Sequence, residues 1–151
     1  MQVPLVSTSD ITTMALPTPS GLLRRLAAFI YDSFLLLAIL FFATAIILPL
    51  NDGEALVSGQ ILYPLYLVLV TFLFFGWFWT HGGQTLGMRA WKIKLCAQQS
   101  QEAVSWRQAT IRFLTALVSL IPLGAGFFWI LIDREKLTWH DRFSKTIVVR
   151  V

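Results

Sequence analysis

The sequence predicts an all-α membrane protein, a small helical bundle with a short cytoplasmic β-strand pair. Three observations predict it. Three strongly apolar runs, Leu26–Leu48, Ile61–Trp79 and Phe113–Ile132, each approach the length that crosses a bilayer. Basic residues gather at particular ends of those runs and not along them. Two short segments, Trp91–Leu95 and Thr146–Val151, show the two-residue apolar alternation of strands.

Composition supports the class. Hydrophobic side chains make up 56% of the 151 residues and charged ones only 13%, whereas a soluble domain carries about a quarter charged. The net charge of +4 is small. Its cations lie beside apolar runs, as anchors for the anionic headgroups of a lipid bilayer and not as a nucleic-acid surface. The single cysteine, Cys96, has no internal disulfide partner. It falls in a basic loop expected to face the reducing side, and reads most simply as a small apolar residue in a strand.

Residues 1–21 are rich in Ser, Thr and Pro without an apolar period, which predicts a disordered cytoplasmic tail before a membrane domain over 22–151. The first helix is predicted over 22–48. A spanning helix needs about 20 residues at 1.5 Å each, and this run reaches that with one charge, Asp32. Arg24 and Arg25 before it, and Ala43, Thr44 and Ala45 within it, imitate a signal peptide. The apolar stretch continues through Ile46, Ile47 and Leu48, too long for a cleaved signal. The connection from Pro49 to Gln60 holds Asp52 and Glu54 and no base, which places it outside.

The second helix, predicted over 61–80, returns the chain to a basic segment. Arg89, Lys92, Lys94, Arg107 and Arg112 stand there against the single acid Glu102, so this segment is expected in the cytoplasm. Ser105 and Gln108 have capping-box spacing and predict a helix from 106 that continues to 132. The tail beyond it carries Arg134, Lys136, Arg142, Lys145 and Arg150 and also claims the cytoplasm, which one simple crossing cannot satisfy. A breaker cluster at 122–126, Pro122 to Gly126, offers a re-entrant hairpin with arms of about 15 to 20 Å. The alternative is a kinked third span with the basic tail outside.

Asp32 is the position most open to chemistry, because an ionisable side chain in a membrane helix is costly and by default faces a partner, water or the bundle interior. It is either a protonatable or cation-binding carboxylate or a buried polar clamp. Arg25 lies seven residues earlier on the same face, about 10 Å away along the axis. Contact requires a long downward reach, a bridging water or another helix. Asp133, His140 and Asp141 follow the third run, either closing an ion or ligand site or forming a solvated mixed-charge loop with Trp139 at the interface. His81, His140 and Cys96 lack zinc spacing, so no metal is expected. Gly82 to Gly87 lacks the lysine of a phosphate loop and reads as a tight turn. The aromatic run Phe72, Phe74, Phe75, Trp77, Phe78 and Trp79 reads as a lipid and interface belt. No nucleophile constellation appears, which predicts a protein that is not an enzyme and implies no cofactor.

Three blocks together resemble the RDD family of bacterial membrane proteins, named for an arginine and two aspartates. The first is Arg24, Arg25, Leu26, Ala27, Ala28, Phe29, Ile30, Tyr31, Asp32. The second is Gly82, Gly83, Gln84, Thr85, Leu86, Gly87, Met88, Arg89, and the third Trp139, His140, Asp141, Arg142, Phe143, Ser144, Lys145, Thr146. The resemblance covers residues 20 to 151. It implies Arg25 as the family arginine, Asp32 as the first aspartate and Asp141 as the second. A candidate ion or ligand site on these three would take Arg24, Asp133, His140 and Thr85 as supporting residues. Lys145 stands where a small residue is more usual. The resemblance allows a role in transport, including sodium–proton exchange, with a monovalent cation or proton as ligand. So few helices enclose a pathway only as a homo-oligomer. The competing expectation is a membrane scaffold or accessory subunit whose Arg/Asp cluster is structural.

Overall fold

A computed structural model of the chain describes residues 18–51, 61–121, 129–133 and 137–151. Helix α1 spans Leu22–Ile47 and runs into a 3-10 turn, Leu48–Asn51. Helix α2 spans Leu62–His81. The short α3, Leu86–Ala90, leads into strand β1, Ile93–Ala97. Helix α4 covers Trp106–Leu120, followed by a 3-10 turn Trp129–Leu131, helix α5 at Trp139–Ser144 and strand β2 at Thr146–Arg150. The fold is mostly helical with one two-stranded antiparallel sheet.

Helices α1 and α2 are long and apolar enough to cross a membrane. Their burial pattern is inside out. The buried residues of α1 are Ala28, Asp32 and Ala43, and that of α2 is Gly76, while Phe34, Phe41, Ile46 and Leu65 are exposed. Small and polar groups face protein and large apolar groups face away, as expected where lipid replaces water and close backbone approach drives helix contact. The two helices form an antiparallel hairpin. The Tyr66 hydroxyl donates to the Ala43 carbonyl at 3.3 Å, and Tyr63 and Thr44 hydroxyls lie 2.9 Å apart. At the other end, the Trp106 ring packs over Gly76, and Phe72 meets Trp106 and Phe113 edge-on.

The capping box predicted at Ser105 and Gln108 starts α4 as expected. The sheet pairs as predicted but sits two residues later on its first strand. Trp91 and Lys92 form a turn, with Lys92 at φ 51°, and pairing runs from Ile93 opposite Arg150 to Ala97 opposite Thr146. Cys96 lies in β1, buried, as the simple reading has it. The helix ends fall one residue from those expected, 47 for 48 and 62–81 for 61–80. Helix α4 ends at Leu120, just short of the break expected at 122–126, which lies outside the described residues; past it, 129–131 form a 3-10 turn and not the α-helix expected up to 132.

Residues 1–17 also lie outside the described residues, but Pro19 forms a bridge to Val149 and Ser20 is buried. The segment before α1 therefore lines the sheet edge. Gly82–Gly87 is more than a tight turn. Thr85 caps α3, and Gly83 sits at φ +68°, where a side chain would also overlap the Leu95 carbonyl. That carbonyl belongs to the residue whose N–H donates back to Gly83 at 2.7 Å, tying the turn to β1. The core fills the space these elements enclose: Ala28, Met88, Ile93, Leu95, Val104, Ala109 and Val148, with Trp79 against it. Trp79 and Phe72 thus face protein, a correction to the belt reading, whereas Trp77 remains exposed.

Candidate functional site

Two polar clusters sit on either side of the start of α1. The first centres on Asp32, 3% exposed, whose Oδ2 accepts from the Thr85 hydroxyl and whose Oδ1 accepts from the Gly87 N–H at 2.8 Å. The same Thr85 oxygen accepts from the Met88 N–H at 3.2 Å as the cap of α3. The short helix is therefore fastened by its own first turn to a carboxylate in the membrane helix. Gly87 makes the approach feasible. A Cβ there would overlap the Ala28 carbonyl and stand 2.9 Å from the Asp32 carboxyl carbon.

The second cluster centres on Asp141, which is fully buried. Its first-turn place in α5 follows from local capping: the Thr138 hydroxyl accepts from Asp141 N–H at 3.4 Å, and Asp141 Oδ2 accepts from Thr138 N–H at 3.1 Å. The Arg25 guanidinium donates to Oδ2 and the Arg112 guanidinium to Oδ1. Arg25 also donates to the Ser20 hydroxyl at 2.9 Å and to the Val148 carbonyl at 3.3 Å. Arg112 donates to the Thr146 hydroxyl at 2.8 Å and lies 5.3 Å from the Trp79 ring centre. The cluster thus joins α1, α4, α5 and β2.

Electrostatically, two guanidiniums face one carboxylate. Burial alone would raise the Asp141 carboxyl, but Arg112, Arg25 and His140 override it and hold it well below the ordinary carboxylate range. His140, whose Nε2 stands 3.9 Å from Asp141, is pushed down to about 3, first by burial and then by the Arg112 and Arg25 charges. It is neutral at physiological pH.

Of the residues singled out in the sequence, the structure brings Arg25, Asp141 and His140 together and joins Asp32 to Thr85. It does not join Arg25 to Asp32. Their shared helix face divides, Arg25 turning to α5 and Asp32 to the start of α3, which supplies the partner that a carboxylate in a membrane helix needs. Arg24 reaches the Trp91 carbonyl at 3.2 Å. Asp133 accepts from Arg142 at 2.6 Å and from Leu137 N–H at 3.0 Å, a separate clasp that shapes the approach to α5. Arg112 is the member of the second cluster that the sequence leaves among the loop cations. Its signal was its place in line with Ala109 and Phe113, three and one residues away on the buried stripe of α4. Among the described residues, no three His, Cys, Asp or Glu side chains converge as a metal site.

No curated protein and no solved structure matches the chain. The family model described as RDD family matches residues 19–145. With that match and its two span-length apolar helices, the chain is a membrane protein that belongs to the RDD family.

Proposed function

We propose that this protein is a non-catalytic scaffold or accessory subunit, multi-pass in the bacterial cytoplasmic membrane, in which the Arg/Asp clusters fasten a helical hairpin to a cytoplasmic sheet. One observation carries the reading: Asp141 is shared by Arg25 and Arg112, so its charge is already neutralised within the fold. Asp32 is likewise engaged on each oxygen, by a hydroxyl and by an N–H. Each oxygen of both carboxylates thus already has a donor from the fold, and the charge of Asp141 is met by two guanidiniums, which favours a structural tie over a site that strips and passes a cation. For the orientation, residues 18–20 edge the two-stranded sheet of β1 and β2, and Arg24, Arg89, Lys92 and Lys94 lie on the segments that meet there. The positive-inside rule then puts the N-terminus, Gln99 and Val151 in the cytoplasm, with the third apolar run entering and leaving on that side. Helix α4, at 15 residues, is about 22 Å long, short of a hydrocarbon core of about 30 Å.

A second reading, cation or proton exchange through a homo-oligomer, draws on the burial of Asp32 in an otherwise apolar helix. Vesicles reconstituted with purified protein separate the two. Scaffold function requires no cation-dependent proton flux above empty vesicles. Flux that Asp32→Asn abolishes, with the protein still folded, would establish exchange instead. Orientation is read by labelling single cysteines at Gln99 and Val151 in a Cys96→Ser background. Labelling of Val151 only from outside would restore three full crossings.

A further inference from the structure

Where α2 ends, a cavity of about 220 Å³ opens between Trp77, Phe78, His81, Gly82, Gln84 and Arg89. Neither polar cluster uses it. One wall is an aromatic stack, the Trp77 and His81 rings lying 3.8 Å apart and 17° from parallel. The His81 ring is held in place through Nδ1, 3.0 Å from the Thr80 hydroxyl and 3.2 Å from the Trp77 carbonyl. The Gln84 amide donates to the Ile93 carbonyl at 2.8 Å, so that wall is fixed as well. Arg89 forms no ion pair among the described residues.

Charge and position identify what fits. Residues 80–101 contain no acid, and Arg24 and Lys94 flank the turn, the first through the Trp91 carbonyl and the second over Gly83. The nearest carboxylate on the packed helix, Asp32, is buried and engaged by Thr85 and Gly87. The cavity therefore attracts an anion. It also lies at the boundary between an uncharged helix of span length and a basic segment, the depth at which lipid phosphates sit. Below it, Leu69, Leu73 and Trp77 recur every four residues, all exposed, as an apolar track along α2 leading away from the cavity.

We propose that this cavity holds the phosphate of an anionic phospholipid, with Arg89 as its charge partner, Gln84 and His81 beside the headgroup, and an acyl chain along Leu69, Leu73 and Trp77. A soluble phosphate shares the first contact but gains nothing from the track. The inference goes beyond the scaffold reading and rests only on α2 crossing the bilayer.

Lipid retention by the full chain in detergent, read by native mass spectrometry, tests it. Phosphatidylglycerol should be retained in preference to phosphatidylcholine. Arg89→Gln should weaken phosphatidylglycerol retention about fivefold, as expected for one cation at a membrane surface. Arg89→Lys should keep most of it, and Lys145→Gln, the same charge change at the far end of the two-stranded sheet, should leave it unchanged. Equal loss in Arg89→Gln and Lys145→Gln would reduce the effect to diffuse charge and overturn the site. Equal retention of the two lipids, or displacement of phosphatidylglycerol by millimolar inorganic phosphate, would also overturn it. Retention is independent of flux, so these outcomes leave the scaffold test untouched.

Discussion

The Arg25 guanidinium donates to the Asp141 carboxylate across 116 residues of chain. The bond closes the molecule, since it links the first turns of α1 to the last helix beside the sheet. Both partners are nearly or wholly buried, and such pairs are costly to break on one side because the remaining charge has no solvent.

Removing one partner should therefore be severe. Asp141→Ala should cost about 3 to 5 kcal/mol or prevent accumulation of folded protein, because it strands both Arg25 and Arg112. Arg25→Ala should cost less, since Arg112 still holds the carboxylate. In a double-mutant cycle read by thermal unfolding in detergent, the paired change should cost less than the two singles added. Strict additivity would mean that the contact contributes nothing.

The buried histidine predicts a pH dependence. His140 in the folded chain titrates near 3, below the usual value of about 6.5, so the unfolded chain binds the extra proton first as pH falls. The stability tied to neutral His140 is complete above about pH 6.5 and drains away toward pH 3. Between pH 6.5 and 4.5 the loss should be about 2 kcal/mol, and His140→Gln should flatten that part of the profile. Asp141, also depressed, loses its contribution only below the ordinary carboxylate range, so it adds no slope in this window.

Gly87 leaves no room for a side chain. Gly87→Ala puts a methyl group against the Ala28 carbonyl and the Asp32 carboxyl, so α3 must move away from α1 and both Asp32 hydrogen bonds must lengthen. Overpacking together with an unsatisfied carboxylate should cost about 3 kcal/mol. A variant with unchanged unfolding temperature would show that α1 and α3 are not held this closely.

Lys145 should be improvable. It caps α5 in the left-handed region at φ 53° and ψ 44°, which costs an L-residue about 1 kcal/mol that glycine avoids. Its N–H and C=O are used, by Arg142 and by Gln98 and Gln108, and its side chain is exposed. Lys145→Gly should raise stability by about 1 kcal/mol, measurable as a higher unfolding temperature.

Helix content, the two membrane-length hydrophobic helices, the Ser105 cap, the strand pair and the family blocks were all legible in the sequence, because each depends on periodicity or on residues within a few positions of one another. Even the oddity of Lys145 was visible, and its left-handed backbone accounts for the small residue expected there. Partner choice was not legible. Arg25 and Asp32 share a helix face, yet Arg25 reaches over the helix start to a carboxylate 116 residues on, and Asp32 is met by a threonine and a glycine N–H brought up by α3. Arg112 reads locally as one more loop cation. It becomes a buried member of the cluster only because α5 places Asp141 and β2 places Thr146 against it. A buried charge is tolerable only where its counter-charge already stands, and that position belongs to the packing of distant elements, which no local pattern encodes.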